Sequence, residues 1–154
     1  MNATDLQHLS KLGFSHERGG AHTSRTMMLE ELSALLSYVG RPDAIKSDYL
    51  RAIDEENCLG KRSGKTRVLT YRHLVDLYSL DPSTTIFRAM LYFWGRDLDA
   101  RPLLALLCTY ARDPIFRMSA SFLLPSEEGA VVTRVALERV LDEKTSGRFS
   151  TATL

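Results

Sequence analysis

The sequence has two cysteines in 154 residues, Cys58 and Cys108, with no Cys-x-x-Cys or paired-histidine spacing around them. That excludes a disulfide framework and a zinc-ligand set, so no metal and no cofactor is expected, and both thiols are expected to be reduced, Cys108 inside a core. Long apolar runs are missing as well. The longest, around Leu103 to Ala111, contains Thr109 and ends at Arg112, which is about half of what a bilayer crossing needs. The opening Met-Asn-Ala-Thr-Asp-Leu-Gln-His has neither a basic start nor an apolar centre, so it is not a secretory signal. A soluble, cytoplasmic chain without membrane contact is the expectation. Surplus charge is absent too: the formal net charge is +1, which leaves no general basic field. No segment alternates at period two and no Asn-Gly or Asp-Gly hairpin signal occurs, so strands are not expected. There is no internal repeat and no low-complexity tract.

What is present is helical. Apolar residues at 44% and charged ones at 25% suit a single globular domain, which at this length buries roughly 70% of its unfolded surface. Met28, Leu32, Leu35, Leu36 and Val39 fall on one helical face, and Gly40 supplies a stop. Pro42, Pro82, Pro102, Pro114 and Pro125 each precede an apolar helical pattern, where the missing N–H costs nothing. Ser126, Glu127 and Glu128 read as the cap and acidic first turn of a late helix, and Thr70 as the cap of one carrying Tyr71, Leu74, Val75 and Tyr78. The prediction is an all-α bundle of about seven short helices. Residues 1–22 are read as a flexible N-terminal arm, with one short helix capped by Thr4 and Gln7 and ending at Gly13, and residues 23–154 as a single helical domain. Gly147 to Leu154 reads as a loop and a capped helix start, either a frayed end or the cut edge of a longer protein.

One local concentration breaks the even charge. Lys61, Arg62, Lys65, Arg67 and Arg72 lie within residues 57–75 without an acid among them, and Ser63, Thr66 and two glycines make the segment read as a flexible loop before a helix. Cations on such a loop suit phosphate groups. A solvated basic turn is the plain alternative.

Other constellations fail on spacing. Gly60 to Thr66 looks like a nucleotide-binding P-loop, but the first glycine of that motif falls on Leu59, and the segment follows a helix rather than a strand. Cys58 with His73 is a conceivable nucleophile pair, but nothing orients it. Asp54, Glu55 and Glu56 are consecutive, so they point to different helix faces and make a poor acid–base pair; they are read as solvating the helix end, with Lys61 or Arg62 as candidate partners. No catalytic residue is assigned, and the protein is not expected to be an enzyme. Tyr92, Phe93 and Trp94 beside Met90 and Leu91 are assigned to the core rather than to a base-stacking surface. Arg88, Arg96, Arg101, Arg112 and Arg117 either extend a basic surface or form solvated faces.

From about Arg18 to Thr133 the order of features resembles the BrxA family of BREX phage-defence systems. A Gly-Gly stretch leads to Arg25-Thr26-Met27-Met28-Leu29-Glu30-Glu31-Leu32, then to Ala52-Ile53-Asp54-Glu55-Glu56-Asn57-Cys58-Leu59, which is similar to an acidic segment of that family. Lys61 to Arg67 resembles its basic turn, Tyr71-Arg72-His73-Leu74 its next helix, and Leu103–Tyr110 with Ile115–Phe122 its paired apolar helices. The resemblance implies a fold like that of the RNA-binding antitermination protein NusB, nucleic-acid binding without catalysis, and work among other defence-system proteins. Members of that family run longer than this chain. The expected function is therefore a non-enzymatic component that binds nucleic acid, double-stranded DNA first, through Lys61, Arg62, Ser63, Lys65, Thr66, Arg67 and Arg72. The rival expectation is a protein–protein adaptor whose basic loop docks an acidic partner.

Overall fold

A computed structural model describes residues 3–15 and 27–145. Eight helices occur among them: α1 (Ala3–Leu12), α2 (Leu29–Val39), α3 (Lys46–Asp54), α4 (Gly64–Tyr78), α5 (Thr85–Trp94), α6 (Arg101–Arg112), α7 (Pro114–Leu123) and α8 (Arg134–Thr145). No strand is present among the described residues. The all-α class is therefore the one that forms, and no helix among those residues is long and apolar enough to cross a membrane.

Local chemistry accounts for most boundaries. Gly40 ends α2 in the left-handed region at φ 61°, donating its N–H to the Leu36 carbonyl. Asp113 caps α7 by accepting from the N–H groups of Ile115 and Phe116 at 2.8 and 3.1 Å, with Pro114 as the first helical residue. Two expected starts are displaced. Thr70 is buried inside α4, whose true cap is Ser63, so that helix begins well before Tyr71. Ser126-Glu127-Glu128 forms a turn closed by the Ala130 N–H on the Glu127 carbonyl, with Gly129 at φ 84°, and α8 starts only at Arg134 behind Thr133. Val131, Val132 and Thr133 explain the delay: β-branched side chains resist the helix, and Thr133 accepts from the Ala136 N–H at 3.2 Å as a cap.

α6 is the central element, packing on α4, α5 and α7; α3 packs on α2 and α4, and α8 covers α7. The core between them is built from Leu32 and Leu35 of α2, Tyr49 and Ile53 of α3, Leu74 and Tyr78 of α4, Phe87, Met90 and Trp94 of α5, and Cys108 of α6. The assignment of three consecutive aromatics to this core is corrected by helix geometry. Residues spaced at 100° cannot all face inward. Trp94 is buried beneath the Arg101 guanidinium, while Tyr92 and Phe93 are 56% and 50% exposed, with Arg96 lying 3.6 Å above the Tyr92 ring. On α6, Leu103, Leu106 and Leu107 likewise face outward.

Residues 3–15, assigned above to an arm, are tied to the body. The Ser15 N–H donates to the Ala111 carbonyl at 3.0 Å, and the Thr85 hydroxyl donates to the Lys11 carbonyl at 3.4 Å. Residues 16–26 and the last segment, 146–154, lie outside the described residues. At the end of α1, Gly13 has φ 106°, and an added Cβ would sit 2.6 Å from the Thr84 methyl and 2.7 Å from that of Ile86. Gly13→Ala is therefore expected to cost about 1–3 kcal/mol, read as a lower urea midpoint.

Two buried tyrosines differ in a testable way. The Tyr78 hydroxyl donates to the Met27 carbonyl, whereas the Tyr49 hydroxyl has no hydrogen-bond partner among the described residues. Tyr49→Phe is expected to leave stability unchanged or raise it by up to about 1 kcal/mol, and Tyr78→Phe to lower it by about 1 kcal/mol. Equal losses in thermal denaturation would show that Tyr49 has a partner after all.

Candidate nucleic-acid interface

The basic segment is more ordered than its glycines suggested. After α3 the chain turns at Asn57, φ 49°, whose side-chain oxygen accepts from the Lys61 N–H at 2.8 Å. Gly60, at φ 60°, donates its N–H back to the Asn57 carbonyl at 2.9 Å, which closes the turn. Ser63 then caps α4: its Oγ accepts from the Thr66 N–H at 3.2 Å and shares a 2.9 Å hydrogen bond with the Thr66 hydroxyl. Ser63 and Thr66 are thus committed to starting a helix. Lys65, Thr66 and Arg67 form its first turn rather than part of a loop.

The five cations divide into two groups. Lys61 Nζ lies 3.1 Å from Glu31 Oε1 of α2, and Arg67 Nε lies 3.5 Å from Asp54 Oδ1 of α3. These two tie the segment to its neighbours and are partly screened from solvent. Arg62, Lys65 and Arg72 are exposed and make no ion pair among the described residues. Lys65 and Arg72 stand seven residues apart on α4, hence on one face and roughly 10 Å apart along the axis, with Arg62 just ahead of them. The first turn of α4 contains no acidic residue. Two cations therefore add to the positive end of the helix dipole instead of neutralising it, an arrangement that favours an anion placed there.

Because Lys61 and Glu31 keep about a quarter of their side-chain surfaces exposed, their pair should contribute little. A double-mutant cycle with Lys61→Ala and Glu31→Ala is expected to give a coupling of under about 1 kcal/mol. A larger value would make Lys61 primarily a structural residue.

The rejected chemistry gains nothing from the geometry. Burial, and then the Glu56 charge, push the Cys58 thiol above its ordinary pKa, the reverse of what a nucleophile needs. Gly60 to Thr66 follows helix α3, where a P-loop would follow a strand. The acidic run Asp54 to Glu56 does pair with the basic segment, but through Asp54 and Arg67 rather than Lys61 or Arg62; Lys61 is held instead by Glu31, 30 residues away, which nothing local marks. No protein-family model, no curated protein and no solved structure matches the chain.

Proposed function

We propose that the protein binds nucleic acid without catalysis, double-stranded DNA first, through the exposed stripe of Arg62, Lys65 and Arg72 at the start of α4. The observation that carries this reading is the uncompensated charge: three solvent-facing cations and a helix N-terminus with no acid in its first turn. Such a stripe contacts phosphates and reads no bases, so binding should show little sequence preference. The resemblance to the BrxA family supports the same reading and adds a setting, a multiprotein phage-defence system. The ion pairs of Lys61 and Arg67 with carboxylates favour the second reading, an adaptor that docks an acidic protein surface on the same stripe.

Salt dependence tests the first reading. With three phosphates neutralised, log K against log salt should have a slope near −2.7, a loss of roughly 40-fold in affinity between 50 and 200 mM salt. A random-sequence labelled duplex followed by fluorescence anisotropy provides the measurement. No binding at 50 mM salt would contradict the reading and leave the adaptor.

A further inference from the structure

A second positively charged place lies away from the α4 stripe. Between the end of α1 and the α4–α5 connection is a cavity of about 670 Å³, lined by Lys11, Ser10 and Ser15 on one side and by Thr84 and Arg112 on the other. No acidic residue lines it among the described residues.

Among the described residues the cavity's arginine is held by backbone carbonyls rather than by an ion pair. Arg112 donates to the carbonyls of Asp76, Val75 and Gly13 at 2.8, 3.3 and 3.3 Å. Next to it, Arg117 donates to the carbonyls of Ala111 and Ser15 at 2.8 and 2.7 Å. Among the described residues neither guanidinium forms an ion pair with a carboxylate. Carbonyl acceptors satisfy the N–H groups but leave the charge, which is costly in a half-buried place. Burial holds Arg112 below its ordinary pKa, with the Cys108 and Asp76 charges pulling it back up. The nearest acid of the α4–α5 connection, Asp81, is spent: it accepts from the Ser83 N–H and hydroxyl at 2.9 and 2.6 Å and pairs with Lys46 at 3.5 Å.

Behind Thr84, the α4–α5 connection is held in a costly conformation. Ser79 and Leu80, both buried, take φ 72° and 49° in succession, and the Ser79 and Thr84 hydroxyls lock that turn at 2.8 Å. Gly13, which lines the cavity, sits against Thr84 and Ile86 where no Cβ fits. Backbone strain of this kind persists where the surroundings over-determine it, and functional sites are where it collects.

We propose that this cavity binds an oxyanion of the phosphate class, with Lys11 and Arg112 supplying charge and the Ser10 and Ser15 hydroxyls supplying further donors. A cavity of this volume admits either free inorganic phosphate or the phosphate of a monoester. The proposal is independent of the α4 stripe.

Isothermal titration of the full chain with inorganic phosphate, and separately with adenosine monophosphate, is the test. Saturable binding of at least one is expected; phosphate alone identifies a free-anion site, and the monoester alone a site that needs the organic group. Lys11→Glu, at an exposed position that spares the fold, should weaken binding by roughly tenfold or more, as expected when a like charge replaces an opposite one within a few ångströms. An Arg62→Glu/Lys65→Glu/Arg72→Glu variant should bind both ligands as the parent does. The proposal is overturned if neither ligand binds saturably, if Lys11→Glu binds as tightly as the parent, or if only the α4 variant loses binding.

Discussion

Phe87→Ala is expected to lower stability by about 3–5 kcal/mol, which for a domain of this size shifts the melting temperature by roughly 6–20 °C. Phe87 is fully buried and meets the Tyr49 ring edge-on at a centroid distance of 6.1 Å, so truncation removes both the transfer gain and an aromatic contact at the junction of α3 and α5. Phe87 belongs to the buried core cluster, and α5 packs on α6, which limits how far the site can collapse around the hole. Urea denaturation followed by circular dichroism measures the loss. A cost below about 1 kcal/mol would mean that the helices do not pack as described.

Alkaline pH should undermine the same core. Burial first, with the Asp48 charge adding to it, pushes Tyr49 up to about 12, and burial does the same for Tyr78. Cys108 is also pushed up to about 12 by burial. In each case the neutral form is the one the fold holds, while the unfolded chain ionises near pH 10 for tyrosine and near 9 for cysteine. Their contribution is therefore complete below pH 9 and is lost as the pH climbs towards 12. At pH 11 the three groups together should remove on the order of 5 kcal/mol relative to pH 8. Comparing urea midpoints at the two pH values checks this. In Tyr49→Phe the drop should be smaller than in the parent; an identical drop would show that ionisation of Tyr49 is not linked to unfolding.

The helical class was legible because it depends on short-range signals that survive in any context. Proline at the head of α6 and α7, Gly40 behind α2, and Asp113 as a cap each act on their own neighbours. Where two local signals compete, the sequence is ambiguous. Ser126-Glu127-Glu128 looks like a helix start, yet Gly129 and the β-branched Val131 to Thr133 win, and α8 begins at Arg134. Thr70 was a plausible cap until Ser63 proved the better placed one. The candidate site was half legible. Its location is a charge pattern within residues 57–75, visible without any fold. Which cations remain free to act depends on Glu31 and Asp54, brought in by the packing of α2 and α3, and no spacing rule reveals that. The cavity beside α1 was illegible for the same reason. Lys11 and Arg112 are 101 residues apart and meet only once Gly13 is seated against Thr84.

The most direct test of the proposed function is a charge reversal on the α4 stripe. The parent and an Arg62→Glu/Lys65→Glu/Arg72→Glu variant are titrated with the same labelled duplex at 50 and 200 mM salt. A control variant, Arg134→Glu/Arg139→Glu, reverses two exposed arginines on α8. All three should show the same helical circular dichroism, since exposed charges contribute little to folding. The stripe variant should lose nearly all affinity at 50 mM salt and most of the salt dependence, while the control keeps both. If the stripe variant binds duplex as tightly as the parent, the central claim is wrong, and Arg62, Lys65 and Arg72 are a solvated helix face.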